Sequence, residues 1–117
     1  MRSTRKRKGK SGPTRLSKAR LDELVEAAIV DCHDESEQAM GLYTMIQDHL
    51  ALPFETTVLG IRVTVERVDL TQREEIVAVC RRAAVRQRVP LLDLPLPSPP
   101  PEGTEWIEAY RHWCAAR

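Results

Sequence analysis

Residues 31–66 read DCHDESEQAMGLYTMIQDHLALPFETTVLGIRVTVE, and the period of their apolar positions changes once within that span. Ala39, Leu42, Tyr43, Ile46 and Leu50 recur every three or four residues, the spacing of one helix face. Pro53 ends that pattern, because the residue before a proline is pushed out of the helical region. Beyond it Ile61, Val63 and Val65 alternate with Arg62, Thr64 and Glu66, as in a strand with one buried face. The alternation then slips by one residue, to Val68 and Leu70, which predicts a β-bulge or sharp bend near Glu66-Arg67. Helical segments followed by strands, without regular alternation of the two, predict an α+β fold.

The same reading extends outward on both sides. Upstream, Leu21, Leu24, Val25, Ala28, Ile29 and Cys32 mark a first helix, with Asp22, Glu23 and Glu26 expected in its opening turns. Asp34 followed by Glu37 has capping-box spacing, so a second helix is expected to start there. One long bent helix is the alternative, since no Pro or Gly forces a break. Downstream, strands are expected over 56–59, 61–70, 75–82 and 86–94, with Pro90 placing the last at an edge or a bulge. Residues 95–101, PLPSPPP, read as a stiff tether. Thr104 is the expected N-cap of a final helix that turns Trp106, Ile107, Tyr110 and Trp113 to one side. The expected architecture is an N-terminal helical pair, a small curved antiparallel sheet able to close as an SH3-like barrel, a Pro-rich tether and a C-terminal helix. Residues 16–117 form one domain in this reading. Residues 1–15, MRSTRKRKGKSGPTR, read as a disordered basic tail.

Size and composition narrow the function. With 117 residues there is room for one compact domain, and the 42% hydrophobic content allows a core. At 4% aromatics, aliphatic residues must build most of it. No apolar run is long enough to span a bilayer, and the basic N-terminus is not followed by the apolar stretch of a secretory signal. A cytoplasmic protein with no membrane partner is expected. Cys32, Cys80 and Cys114 are widely spaced and odd in number, which argues against a disulfide framework, and there is no CxxC pair for zinc. Enzyme readings are poor: His33, His49 and His112 stand in no recognisable nucleophile motif, and no phosphate-binding glycine loop is present. The expectation is a protein without catalytic activity.

Charge is segregated along the chain. Residues 1–20 carry nine Lys/Arg and no acid, whereas residues 21–117 carry nine Arg against seventeen Asp/Glu. From Leu21 to Gly60 there are nine acids and no Lys or Arg. A solvated helix normally mixes signs, because opposite charges one turn apart help it. Four carboxylates, Asp31, Asp34, Glu35 and Glu37, fall within seven positions, and Asp48 and Glu55 follow around the end of the second helix. Oxygen donors without competing cations suit Ca2+, which takes six to eight oxygens. No EF-hand loop exists in the chain, so roughly 10⁻⁵–10⁻³ M affinity is expected by analogy with non-buffer sites. The bland alternative is a solvated acidic face.

Two other readings come from the same residues. Arg81, Arg82, Arg86 and Arg88 cluster around the last hairpin, and with the basic tail they can contact a phosphate backbone or another acidic partner. The scarcity of strand aromatics for base stacking and the net acidic body weigh against nucleic acid. A protein-interaction module built on the Pro tether and the Trp106/Trp113 helix is the third.

The stretch quoted at the outset resembles the CcbP-type calcium-binding protein family. The positions that carry the likeness are Asp31, Cys32, Glu35, Glu37, Gln38, Gly41, Leu50, Pro53 and Phe54. The segment IVAVCRRAAVRQRVPLLDLPLPSPPPEGTEWIEAY, residues 76–110, also looks like small proteins of this group. The similarity spans about residues 21–113 and leaves out the basic tail. His33 stands where the pattern has Tyr, and Ala83 where a Gly is expected between the last two strands. The resemblance implies calcium binding through surface acidic charge, as a buffer or signalling component. It does not fix the ligands.

Overall fold

A computed structural model describes residues 16–117; the basic stretch 1–15, with its expected disorder, lies outside them. The described chain is α+β, with three helices and a four-stranded sheet. Helix α1 covers Lys18–Ile29 and α2 covers Glu35–His49. Strands β1 (Phe54–Val58), β2 (Ile61–Leu70), β3 (Ile76–Arg82) and β4 (Val85–Pro90) follow, then a 3-10 turn, Leu91–Asp93, and α3, Thr104–Ala116.

The first helix starts earlier than its apolar pattern suggests. Ser17 is the N-cap, its hydroxyl accepting from Arg20 N at 3.1 Å. The opening turn is therefore Lys18–Leu21 and contains no acid. Asp22 and Glu23 instead pair back onto Lys18 (3.0 Å) and Arg20 (3.3 Å), which offsets two cations at the positive end of the dipole. The break before α2 is real. Asp31 takes a left-handed φ of 66°, and Asp34 caps α2 by accepting from Glu37 N at 2.8 Å. Glu37 reaches back one residue further than a regular capping box, to His33 N.

The sheet is an antiparallel meander in the order β1-β2-β3-β4. Val65 pairs with Cys80 and Arg67 with Val79, so Glu66 is the extra residue of a bulge where the apolar parity slips. The bulge keeps Val65 and Val68 on the core face. The central strand β3 is buried from Ile76 to Cys80, and the edge strand β4 is mostly exposed. Pro90 ends the edge strand, where its missing N–H costs no ladder bond. The strand expected over 86–94 stops there because the chain turns inward at Leu91, which is fully buried. β1 and β4 do not pair, so the sheet is open and not a closed SH3-like barrel.

Core packing joins α1, α2 and α3 to one face of the sheet. Leu42, Ile46, Val65, Ile76, Leu91 and Ile107 are fully buried at its centre. Tyr110 ties α3 to β3, its hydroxyl accepting from Ile76 N at 3.2 Å. Burial pushes the Tyr110 phenol up to about 12. Arg111 donates to the carbonyls of Leu91 and Leu94, clamping the 3-10 turn against α3. The proline tether lies along β1, where Thr56 Oγ1 donates to Pro95 O at 2.6 Å. Gly103, not Thr104, is the N-cap of α3, with φ 90°. A Cβ there would stand 2.2 Å from His49 O, so only glycine lets α3 start against the end of α2. Thr104 is the first helical residue, and its hydroxyl donates back to Pro101 O. Trp106 and Trp113 are both buried, which removes the anchors of the interaction-module reading.

Candidate metal site

The acidic turn is assembled by close approach of α1 and α2. Gly41 is the residue that permits it: a Cβ at this position would lie 2.4 Å from Ala28 O and 3.4 Å from Cys32 Sγ. The C-terminal turn of α1 thus sits against the second turn of α2, and residues 30–34 bridge them, exposed except for the half-buried Cys32. Two local fields meet in the bridge. The carbonyl end of α1 is the negative pole of its dipole, and no basic residue lies in its last turn. The amide end of α2 is positive, and Asp34 and Glu37 each spend one carboxylate oxygen on it.

Four acids therefore have different situations. Asp31 is exposed and lies in the bridge with its strained φ. Asp34 and Glu37 keep one oxygen each beyond their caps. Glu35 pairs with Arg117 Nε at 3.1 Å, with side chains 65% and 44% exposed. The pair is held from the C-terminal side, since the Arg117 guanidinium also stacks 4.5 Å over the Trp113 ring and Trp113 Nε1 donates to Gln38 Oε1 at 3.0 Å. The sequence does not point to Arg117, because eighty-two positions separate it from Glu35 and only α3 packing brings it back. The one available signal was Gln38, a polar residue in the first turn of α2 that finds an indole partner.

Asp48 and Glu55 do not join this turn. Thirteen residues of α2 separate Asp48 from Glu35, about 20 Å along the axis at helical rise. Glu55 lies on β1 and pairs with Arg62 at 2.9 Å. Asp22, further up α1, bonds His112 at 2.7 Å and Lys18 at 3.0 Å. The His112 bond and then Lys18 hold its carboxyl below the ordinary range. It ties α1 to α3.

Calcium needs hard oxygen donors, and the turn supplies carboxylates and the unsatisfied carbonyls that close a helix. That donor set fits. It is not gathered into a cage: among the described residues no three or more His, Cys, Asp or Glu side chains converge on a point that could hold an ion. An ion held there would need water to complete its shell.

The arginine cluster is largely neutralised from within. Glu66, freed by the bulge, accepts from Arg81 Nε at 2.6 Å and from Arg86 Nε at 2.8 Å. These residues face each other across β3 and β4. Arg86 and then Arg81 hold the Glu66 carboxyl below its ordinary value of 4.5. Arg88 approaches Asp69 at 3.7 Å. Arg82 makes no ion pair among the described residues. This hairpin is a poorer phosphate surface than its sequence suggests. No helix of the described residues is long and apolar enough to cross a membrane.

Comparison with known proteins bears on the frame that carries this turn. Among solved structures, the crystal structure of Anabaena CcbP matches with a TM-score of 0.66 at 18% identity, covering 88% of this chain and 95% of that one. A calcium binding protein in the calcium-binding form matches with a TM-score of 0.65 at 19% identity, covering 85% and 92%. At such identities the likeness speaks for the fold. A search of the curated proteins gives no match. The family model described as calcium binding, CcbP type, matches residues 22–114, from the second turn of α1 into the last turn of α3. With the helical pair, the bulged meander and the α3 dock all inside that match, the chain belongs to the CcbP-type calcium-binding family.

Proposed function

We propose that this protein binds Ca2+ at the α1–α2 turn through Asp31, Asp34, Glu35 and Glu37, and acts without catalysis as a small cytoplasmic calcium buffer or signalling component. The observation that carries the reading is the exposed turn between α1 and α2, whose residues 31–37 carry four carboxylates inside forty residues that contain no Lys or Arg. Family membership supports the ion's identity. Asp31 and the free oxygens of Asp34 and Glu37 are the direct donors in this account. Glu35 joins when it leaves Arg117. Exposed ion pairs contribute only about 0–1 kcal/mol, so a divalent ion can displace that guanidinium. Asp48 and Glu55 add to the negative field without entering the same coordination sphere. Bound calcium supplies charge neutralisation across the turn and stiffens the joint between the two helices.

Calorimetry of the full chain with calcium, and with magnesium as control, tests the proposal. Heat of binding and thermal stabilisation in the millimolar range or below are expected with calcium. Glu35→Gln with Glu37→Gln is expected to weaken them. No heat and no stabilisation would overturn the proposal. Binding unchanged in the double variant would move the site elsewhere.

A further inference from the structure

The two hairpins at one end of the sheet carry an apolar surface that the helical layer does not cover. The β1–β2 and β3–β4 turns lie at the same end, because the meander pairs Val58 with Ile61 and Arg82 with Val85. Between them is a half-open trough of about 520 Å3, floored by Val58, Val63, Cys80 and Val89. Its rim stands in solvent: Leu59 is 96% exposed, Val85 67% and Ile61 43%. The turns themselves do not ask for these residues. Leu59 sits at φ 51° ahead of Gly60 at φ 78°, a position that favours Asn, Asp or Gly. Ala83, at φ 53°, opens the other two-residue turn where glycine is the ordinary choice. A branched aliphatic side chain placed in a left-handed turn and held in water gains nothing inside this fold.

The one charged side chain among the residues lining the trough is Arg82. Segments 57–63 and 81–88 contain Arg62, Arg81, Arg82, Arg86 and Arg88 and no Asp or Glu. By strand alternation Arg62, Arg81, Arg86 and Arg88 turn to the other face of the sheet, where Glu55, Glu66 and Asp69 pair with them, whereas Arg82 lines the trough with no ion pair among the described residues. We infer that the paired hairpin tips are a docking surface for an anionic lipid bilayer, with Leu59, Ile61 and Val85 entering the headgroup boundary and Arg82 meeting phosphate. Such a peripheral contact needs no spanning helix. A bilayer covers the tips and the trough floor together, whereas a small amphiphile in the trough would leave Leu59 in water. A second copy docked face to face would bring two Arg82 side chains toward each other.

Vesicle co-sedimentation of the full chain tests this, with chelator present so that calcium bridging plays no part. The probe is roughly 7:3 phosphatidylcholine:phosphatidylserine vesicles, compared with phosphatidylcholine alone. Leu59→Asp with Val85→Asp is compared with Gln47→Asp with Gln72→Asp, which makes the same charge change away from the tips. The tip pair is expected to lose about tenfold or more in partitioning, the cost of withdrawing two aliphatic side chains from the interface. The control pair is expected to lose only what its charge removes, a few-fold. Leu59→Trp is expected to show a blue-shifted added emission on the mixed vesicles. No vesicle binding by the wild type would overturn the inference. So would equal losses in both pairs, which assign the binding to the basic tail alone. A wild type that self-associates while the tip variant is monomeric would give the surface to a second copy instead.

Discussion

Replacing Gly41 by alanine should destabilise the protein, although alanine is the better helix former. On an ordinary exposed helix the change gains about 1 kcal/mol. Here the added methyl would stand 2.4 Å from the carbonyl oxygen of Ala28, about 1 Å inside ordinary van der Waals contact. The obstacle is backbone at the end of α1, not the tip of a flexible side chain. One helix must shift against the other, which forces core side chains such as Leu42 and Ala28 out of register. Overpacking of this kind costs typically 1–3 kcal/mol, and a backbone clash belongs at the upper end. The net expectation is about 2 kcal/mol lost, or about 10 °C in Tm for a domain of this size. Urea unfolding followed by circular dichroism measures it, as a lower midpoint with an unchanged slope. Because Ala28 and Cys32 carry the acidic turn, calcium affinity should weaken in the same variant. A Gly41→Ala protein that is more stable than wild type would refute the close approach and, with it, the account of how the turn is positioned.

Other consequences follow from single contacts. Tyr110→Phe leaves the buried Ile76 N–H without its acceptor and should cost about 1–3 kcal/mol in denaturant unfolding. Glu66 has a depressed pKa in the fold, so its contribution is present above its unfolded value of 4.5 and is lost as pH falls below that toward the folded value. Urea midpoints compared at about pH 7 and about pH 3 should therefore drop more in wild type than in Glu66→Gln. Arg117→Ala removes the cation beside Glu35 and should leave stability nearly unchanged while raising calcium affinity by up to about fivefold in calorimetry. An unchanged affinity there would mean that Glu35 is not a ligand.

Much of the fold could be read from periodicity, because periodicity reports which face is buried. The apolar stripes of α2 and α3, the alternation of β2 and the parity slip at Glu66 all record one-sided burial. What escaped was set by partners distant in sequence. Helix α1 starts at Lys18 because the Ser17 hydroxyl cap and two ion pairs carry it back ahead of Leu21, the first residue of its apolar pattern. The inward turn at Leu91 depends on Arg111, twenty positions away. Closure of the sheet was not decidable from strand count, since it depends on whether the tether covers β1 or β4 does. The acidic turn was legible as charge, and its capping roles followed from Asp34 and Glu37. The neutralisation of Glu35 by Arg117, and of Arg81 and Arg86 by Glu66, was invisible without the third dimension.

The most direct test of calcium binding at the α1–α2 turn is a calcium titration of the uniformly labelled full chain followed by backbone amide NMR. Saturable shifts concentrated in residues 31–37, with smaller ones at Arg117 and Trp113 as Glu35 is released, are expected. Spectra that stay unchanged to millimolar calcium, or shifts centred on another surface while residues 31–37 remain still, would contradict it.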